Sequence, residues 1–201
     1  MRRIAEELGV GTMSIYYYVS GKDQLLDLMQ DEVLREFHIP PGELSEDWRQ
    51  ALAQILRRTR DAFREHPWCL KNIRPQFGPH AFRHIEQSLS IFSGLDLPLA
   101  KVNEMIAVAD EFVMGFVIAE NAWSEAVQRS GLPRDEYEKA VRQRIEALAE
   151  DGEIPHLAAM AAEDMEQLPH DRRFETGLGW LLAGMEAEIG QSAKSKRSRR
   201  T

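Results

Sequence analysis

The sequence predicts an all-α protein, a small N-terminal helix–turn–helix head followed by a larger helical body. Three observations predict it. Apolar residues recur at three- and four-residue spacing through nearly every segment, no stretch alternates as a half-buried strand does, and prolines and glycines punctuate the chain at helix-length intervals. No internal repeat is present.

Residues 1–38 make the head and its connecting helix. Over Arg2–Leu8, Ile4, Ala5 and Leu8 share one face. Gly9 can take the left-handed conformation that ends a helix, and Thr12 offers an N-cap oxygen to the next. In that second helix, Thr12–Val19, Ile15 points inward together with Val10 from the turn. The outward set is Thr12, Met13, Ser14, Tyr16, Tyr17 and Tyr18, a dense array of hydroxyls and rings for one short helix. A third helix, Lys22–Phe37, carries an apolar stripe through Leu25, Leu26, Leu28, Met29, Val33, Leu34 and Phe37, broad enough to cover the first two. Ile39-Pro40-Pro41-Gly42 then breaks the chain, because proline removes an amide donor and restricts the residue before it.

The body spans residues 39–190. Ser45 is expected to cap a helix over Asp47–Glu65, with Trp48, Leu52, Ile55, Leu56, Thr59 and Phe63 inward and Arg57, Arg58, Arg60 and Arg64 outward. Pro67 stops it. A short turn over Trp68–Ile73 leads to a helix from Pro79 to about Ser93, closed by Gly94. Pro98 opens the longest helix, Leu99–Ser130. One of its faces carries Leu99, Val102, Ile106, Ala109, Val113, Phe116 and Trp123. A second face carries Met105, Val108, Phe112, Gly115, Ala119, Ala122 and Ala126, so the helix needs burial on both sides. Helices over Pro133–Glu150, about His156–Ala162 and Arg172–Ile189 follow. Residues 191–201, rich in Lys, Arg and Ser, are expected to be a disordered, solubilising tail.

Composition narrows the class. The 201 residues are 43% hydrophobic and 29% charged, and no apolar run approaches the roughly 20 residues of a membrane span. The expectation is a cytoplasmic protein with no membrane attachment. Its single cysteine, Cys69, excludes an internal disulfide and reads as a buried small side chain. A net charge of −8 argues against nucleic acid at first sight. Arg2, Arg3 and Lys22, however, bracket the opening motif while acids concentrate after residue 103, so a basic head can sit on an acidic body. No phosphate loop or nucleophile elbow is present, and no enzyme is expected. His80 and His84 lie four apart, a spacing that could share a metal, but no Glu follows His80 and they read as a solvated pair. Neither metal nor cofactor is expected.

The opening residues, continued by Lys22-Asp23-Gln24-Leu25-Leu26-Asp27-Leu28-Met29, resemble the DNA-binding head of TetR-family transcriptional repressors. Glu111-Phe112-Val113-Met114-Gly115-Phe116-Val117-Ile118, Trp48 and Arg74-Pro75 extend the resemblance to the body of the tetracycline repressor branch, over about residues 2–190. The resemblance implies that Thr12–Tyr18 is the recognition helix. Arg2, Thr12 and Ser14 would bond bases or phosphates, Tyr16, Tyr17 and Lys22 would hold the backbone, and Met13 or Tyr18 would meet a thymine methyl. It also implies a further helix ahead of the motif, whereas this chain begins inside the second, so Ile4, Leu8, Ile15 and Leu26 are expected to be partly wet.

For the body, the resemblance implies a homodimer through helices 99–130 and 172–189, presenting two heads to a palindromic operator in double-stranded DNA. It also implies a pocket for a small-molecule effector. Candidate liners are His38, Thr59, Phe63, Arg74, Phe77, Phe82, Ile85, Met105, Phe112 and Phe116, with His38 and Arg74 matching polar ligand positions of the tetracycline repressor. Its metal-binding histidine has no counterpart in Cys69-Leu70-Lys71-Asn72-Ile73, so magnesium-tetracycline is not implied. The implied function is a ligand-responsive repressor. The alternative is a dimeric small-molecule binding protein whose degenerate head does not bind DNA.

Overall fold

The computed structural model describes residues 1–74, 76–149, 152, 154–162 and 169–198. In chain order the helices are α1 (Arg2–Glu7), α2 (Thr12–Tyr18), α3 (Lys22–Leu34), α4 (Trp48–Glu65), α5 (Pro79–Ser90), α6 (Leu99–Ser130), α7 (Arg134–Ala149), α8 (Pro155–Ala162) and α9 (His170–Ser198). Two 3-10 helices, Arg35–Phe37 and Pro67–Asn72, extend α3 and follow α4. Among the described residues there is no strand, and no helix is long and apolar enough to cross a membrane. The chain forms two compact units, one of residues 1–115 and 181–201, the other of residues 116–180.

The first unit begins with the helix–turn–helix. Gly9 has φ +66°, and the amides of Gly9 and Val10 donate to the carbonyls of Glu6 and Ala5 at 3.1 and 3.0 Å. This is the double reverse bond that ends a helix at a left-handed residue. Ala5, Ile15 and Val19 form a small core, flanked by half-buried Met1, Ile4 and Leu25. Val10, expected inward, is 46% exposed; Leu8, expected partly wet on the inner face, is 66% exposed, whereas Ile15, also expected partly wet, is buried. α1 ends before Leu8, and the bond from the Val10 amide holds that residue in the turn, off the inner face of α2. The cap of α2 is Gly11 rather than Thr12, which takes the first helical position.

Of the expected stripe of the third helix, Val33 and Phe37 are buried and Leu25, Leu26 and Leu34 half-buried, with two departures and two polar additions. Leu28 and Met29 are exposed, while Gln30, Asp31 and Val33 are buried. Further on, Asp47 rather than Ser45 caps α4, its Oδ1 accepting from the Gln50 amide at 2.9 Å, and Ser45 Oγ accepts from the Asp47 amide at 3.2 Å. Arg60, expected outward, is buried, one turn from Leu56 on the inner face. Leu52, Ile55, Leu56 and Thr59 of α4 are almost inaccessible, and Trp48 packs against Phe92 at 5.6 Å between ring centroids. Ion pairs Arg49–Glu186 and Lys101–Glu188 join the end of α9 to this unit.

In the second unit the Phe116 ring meets Phe174 edge-on at 5.2 Å, and Trp123 meets Tyr137 at 5.6 Å. α7 packs on α8. α9 does not stop at Ile189 but continues to Ser198, so the segment expected to be disordered from 191 is helical that far. It contains neither proline nor glycine after Gly190, and its Ala, Lys, Arg and Gln are good helix formers. Residues 199–201 of the expected tail lie outside the described residues.

Candidate DNA interface and effector cavity

α2 offers an unusual surface for seven residues. Ile15 anchors it in the head core, and the opposite side holds Met13, Tyr17 and Tyr18 at 79%, 86% and 78% exposure. Ser14 and Tyr16 are exposed and Thr12 half-buried. The Tyr17 and Tyr18 rings stand edge to face, 5.2 Å apart. Arg2 opens α1 and Lys22 opens α3, both exposed. A helix with hydroxyls, phenols and a thioether outward, flanked by cations, has the chemistry to lie in a groove and hold phosphates on both sides.

A cavity of about 260 Å³ lies deeper in the same unit. Val33, Leu34 and Phe37 form its wall on the α3 side, Thr59 and Phe63 on α4, and Ala81, His84 and Ile85 on α5. Asp110 and Met114 come from α6, and Cys69, Leu70, Ile73, Arg74 and Gln76 from the connection between α4 and α5. Of the residues named by the sequence, Thr59, Phe63, Arg74 and Ile85 line it. His38, Phe77 and Phe82 are exposed, Met105 is buried and Phe112 half-buried, and none of these lines the cavity. Phe116 belongs to the second unit.

His84 departs from the solvated pair the spacing suggested. It is 8% exposed, its ring meets Phe37 edge-on at 5.3 Å, and its Nε2 lies 3.5 Å from Asp110 Oδ1. His80, half-buried, lies 3.9 Å from Glu32 instead. α5 carries the two imidazoles to different neighbours, one inside the cavity and one at the rim of α3. Cys69 is buried as expected, and burial, followed by the charge of Glu36, raises its thiol pKa to about 11. One potential metal cluster occurs among the described residues, Glu36, Glu65 and His66, with ligand atoms within 4.8 Å. The hydrogen-bonding contact between Glu36 and His66 at 3.1 Å accounts for that arrangement.

The helix that follows the recognition element is also the cavity wall. Asp31 on α3 is 7% exposed, and its Oδ1 accepts from the amides of His80 and Ala81 at 3.1 Å each. Those amides belong to the second and third residues of α5, the ones an N-cap side chain satisfies, and Gly78 at the cap position has no side chain to do so. A Cβ on Gly78 would collide with the Asp31 carboxylate. Two further ties join α3 to this connection. Gln30 Nε2 donates to the Cys69 carbonyl at 3.1 Å and Gln76 Nε2 donates to Gln30 Oε1 at 2.6 Å. At the rim Arg74 bonds Asp23 at 2.9 Å and lies 3.7 Å from Asp27. Sequence periodicity does not find Gln30, Asp31, Gln76 or Asp110. Their partners lie far along the chain, and the one local sign is polar Gln30 in register with Leu26 and Val33.

Comparison with known proteins agrees with this architecture. Residues 40–189 match the model of the tetracyclin repressor-like C-terminal domain. The chain is 35% identical over 193 residues to the HTH-type transcriptional repressor DrrR1 of Streptomyces coeruleorubidus, covering 95% of this chain and 71% of that one. It is 32% identical over 195 residues to an HTH-type transcriptional regulator of Saccharopolyspora erythraea, covering 94% and 77%. Among solved structures, the TetR family protein ActR of Streptomyces coelicolor in complex with actinorhodin superposes with a TM-score of 0.73 at 26% identity, covering 94% of this chain and 88% of that one. With a helix–turn–helix head, a helical body and a family match over most of its length, the chain belongs to the TetR family of transcriptional regulators.

Proposed function

We propose that the protein is a cytoplasmic, effector-controlled repressor that binds a palindromic operator as a homodimer and has no catalytic role. The observation that carries this reading is the double duty of α3. Its N-terminus adjoins the recognition helix, and its later turns supply Gln30, Val33 and Leu34 to the cavity and Asp31 to the cap of α5. An occupant that shifts α5 or the 73–78 connection therefore bears directly on the helix that carries the head. The ligand biases the equilibrium only by binding one position of α3 better than the other. In this reading Arg2, Thr12, Met13, Ser14, Tyr16, Tyr17, Tyr18 and Lys22 contact DNA, and residues 1–38 and 39–190 act as DNA-binding and effector-binding domains.

Dimer formation through α6 and α9 is supported by apolar and small residues left in solvent. Val108, Gly115, Ile118, Ala119 and Ala122 on α6 are exposed, as are Ala183, Gly184 and Ala187 on α9, where Trp180 is 76% exposed. Such side chains let a second pair of helices approach closely. The ActR complex with actinorhodin supports a small organic molecule as the effector.

An electrophoretic shift assay on DNA flanking the gene tests the reading. Salt-sensitive, sequence-specific retardation with a two-fold symmetric footprint is expected, reversed by a small molecule from cell extract. Retardation indifferent to sequence, or absent at low salt, refutes it.

A further inference from the structure

We propose that the effector is an uncharged molecule of two or three fused rings whose hydroxyl group is recognised by His84 and Thr59 at the inner end of the cavity. The inference rests on the effector-controlled reading above and adds the chemistry of the ligand. Thr59 is 2% exposed and His84 8%; both line the cavity, and neither Thr59 Oγ1 nor His84 Nδ1 has a hydrogen-bond partner among the described residues. Buried polar atoms are almost always satisfied, and leaving one unmade is costly. Two such atoms on the wall of one cavity mark the place where an occupant supplies the missing bonds.

The surroundings fix the donor and acceptor roles. The Asp110 carboxylate 3.5 Å from Nε2 favours the tautomer with its proton on that nitrogen, which leaves Nδ1 as an acceptor. A ligand O–H can donate to Nδ1 and accept from the Thr59 hydroxyl, satisfying both atoms with a single group. The neighbouring walls are apolar, with Phe37 set edge-on to Phe63 at 5.0 Å and Met114 and Ile85 beside the imidazole's helix. Rings fit such a space. At interior packing density, about 0.74, a 260 Å³ cavity accepts roughly 190 Å³ of van der Waals volume, two to three fused rings.

Charge excludes an acid. Arg74 is the one guanidinium among the described lining residues, and it is paired with Asp23 and Asp27 at the rim. Asp110 adds a negative charge on the His84 side. A carboxylate ligand would enter with no cation committed to it.

The test is isothermal titration of the full chain with three probes, 2-naphthol, 2-methoxynaphthalene and 2-naphthoate. Naphthol is expected to bind about 10-fold tighter than its methyl ether, the ratio one hydrogen bond to a buried partner supplies, and naphthoate weakest. In His84→Phe, which removes the acceptor only naphthol can use, that preference is expected to fall toward 1; in Thr59→Val, which removes the donor to either probe's oxygen, both probes are expected to weaken together with the preference retained. Thr59→Val is nearly isosteric, and the probe comparison on the unaltered protein does not depend on either variant folding. Equal binding of naphthol and ether, tighter binding of naphthoate, no binding of any probe, a preference that survives His84→Phe, or unchanged affinity of both probes in Thr59→Val each overturns the proposal. Operator release by an effector without a hydroxyl would leave the repressor reading standing while this one falls. Failure to bind operator would remove the repressor reading and leave the probe ratios measurable.

Discussion

Replacing Gly78 with alanine should destabilise the protein through a residue 47 positions away in the sequence. The new Cβ would occupy the space of the Asp31 carboxylate, so the side chain must leave the amides of His80 and Ala81. Removing a charged acceptor from one buried and one part-buried amide costs about 1.5–3 kcal/mol per bond at face value, and N-cap truncations measure about 0.5–2 kcal/mol in total. The partial burial of the helix end and the negative charge at its positive pole place Asp31→Ala near the upper limit, at about 2 kcal/mol. Gly78→Ala should cost nearly the same, less the roughly 0.4–1 kcal/mol gained by stiffening the unfolded chain. The double variant is the discriminating one. Once Asp31 is alanine the carboxylate no longer stands in the way of the Gly78 Cβ, so the pair should cost no more than Asp31→Ala alone. Urea unfolding of the four proteins, compared at constant m-value, should give a coupling of about 1–2 kcal/mol. Additivity within about 0.5 kcal/mol would show that the carboxylate does not hold α5, and the proposed link from cavity to head would lose its main joint.

Tyr17→Ala should leave the unfolding midpoint nearly unchanged, since the ring is in solvent, yet weaken operator binding about 10-fold, the effect of losing one good contact. Loss of stability without loss of affinity would refute the assignment. Lys22→Ala should reduce the slope of log affinity against log salt by about 0.9, one phosphate contact, measured by fluorescence anisotropy. Cys69 should resist iodoacetamide in the folded state at pH 8, because its thiol is held protonated toward pH 11. The unfolded thiol ionises near pH 9 and the folded one near 11, so the unfolded state binds fewer protons in between and stability falls as pH rises through that window. Wild type should therefore lose on the order of 1–2 kcal/mol more than Cys69→Ala between pH 9 and 11, read from urea midpoints; parallel curves would contradict it. Amides of Ile4–Val19 should exchange faster than those of α4. Burial of an aliphatic side chain contributes about 1.5–3 kcal/mol, and the head buries few against the continuous core of Leu52, Ile55 and Leu56. Equal protection in both would indicate a head stiffer than its contacts suggest.

Local signals in the sequence carried the helices and missed what joins them. α6 is found to its end residues because Pro98 starts it, Gly131 stops it with φ +69°, and thirty-two residues of apolar periodicity run between. Thr59 and Phe63 are legible as cavity candidates because they fall on the inward stripe of α4. What failed was any residue whose environment is set by a distant partner. Asp31 looks like a surface acid four residues after Asp27, and only the uncapped N-terminus of α5 makes a buried carboxylate favourable there. His84 shares a helix with His80 and looks equally solvated, and only Phe37 and Asp110, 47 and 26 residues away in sequence, put it inside. Arg60 was assigned outward by its charge although its position put it on the inner face.

These misses share a cause, and it bears on how the cavity works. Periodicity detects positions that bury apolar surface, which is the dominant and non-directional part of folding. A cavity that must respond to one molecule needs directional groups, and those become stable inside only when another segment supplies the complementary atom. Asp31 has that complement in the amides of α5, so it works as a fixed joint. Thr59 Oγ1 and His84 Nδ1 do not have it among the described residues, and are the groups left for a ligand to complete. A ligand that binds there acts on α4 and α5, and α5 is the helix whose first turn Asp31 holds. The joint is therefore placed to convert a change at the two unsatisfied atoms into a change in α3. If Asp31→Ala retains operator binding but no longer responds to an effector that still occupies the cavity, the joint transmits the signal; if response and occupancy vanish together, it serves only to shape the cavity.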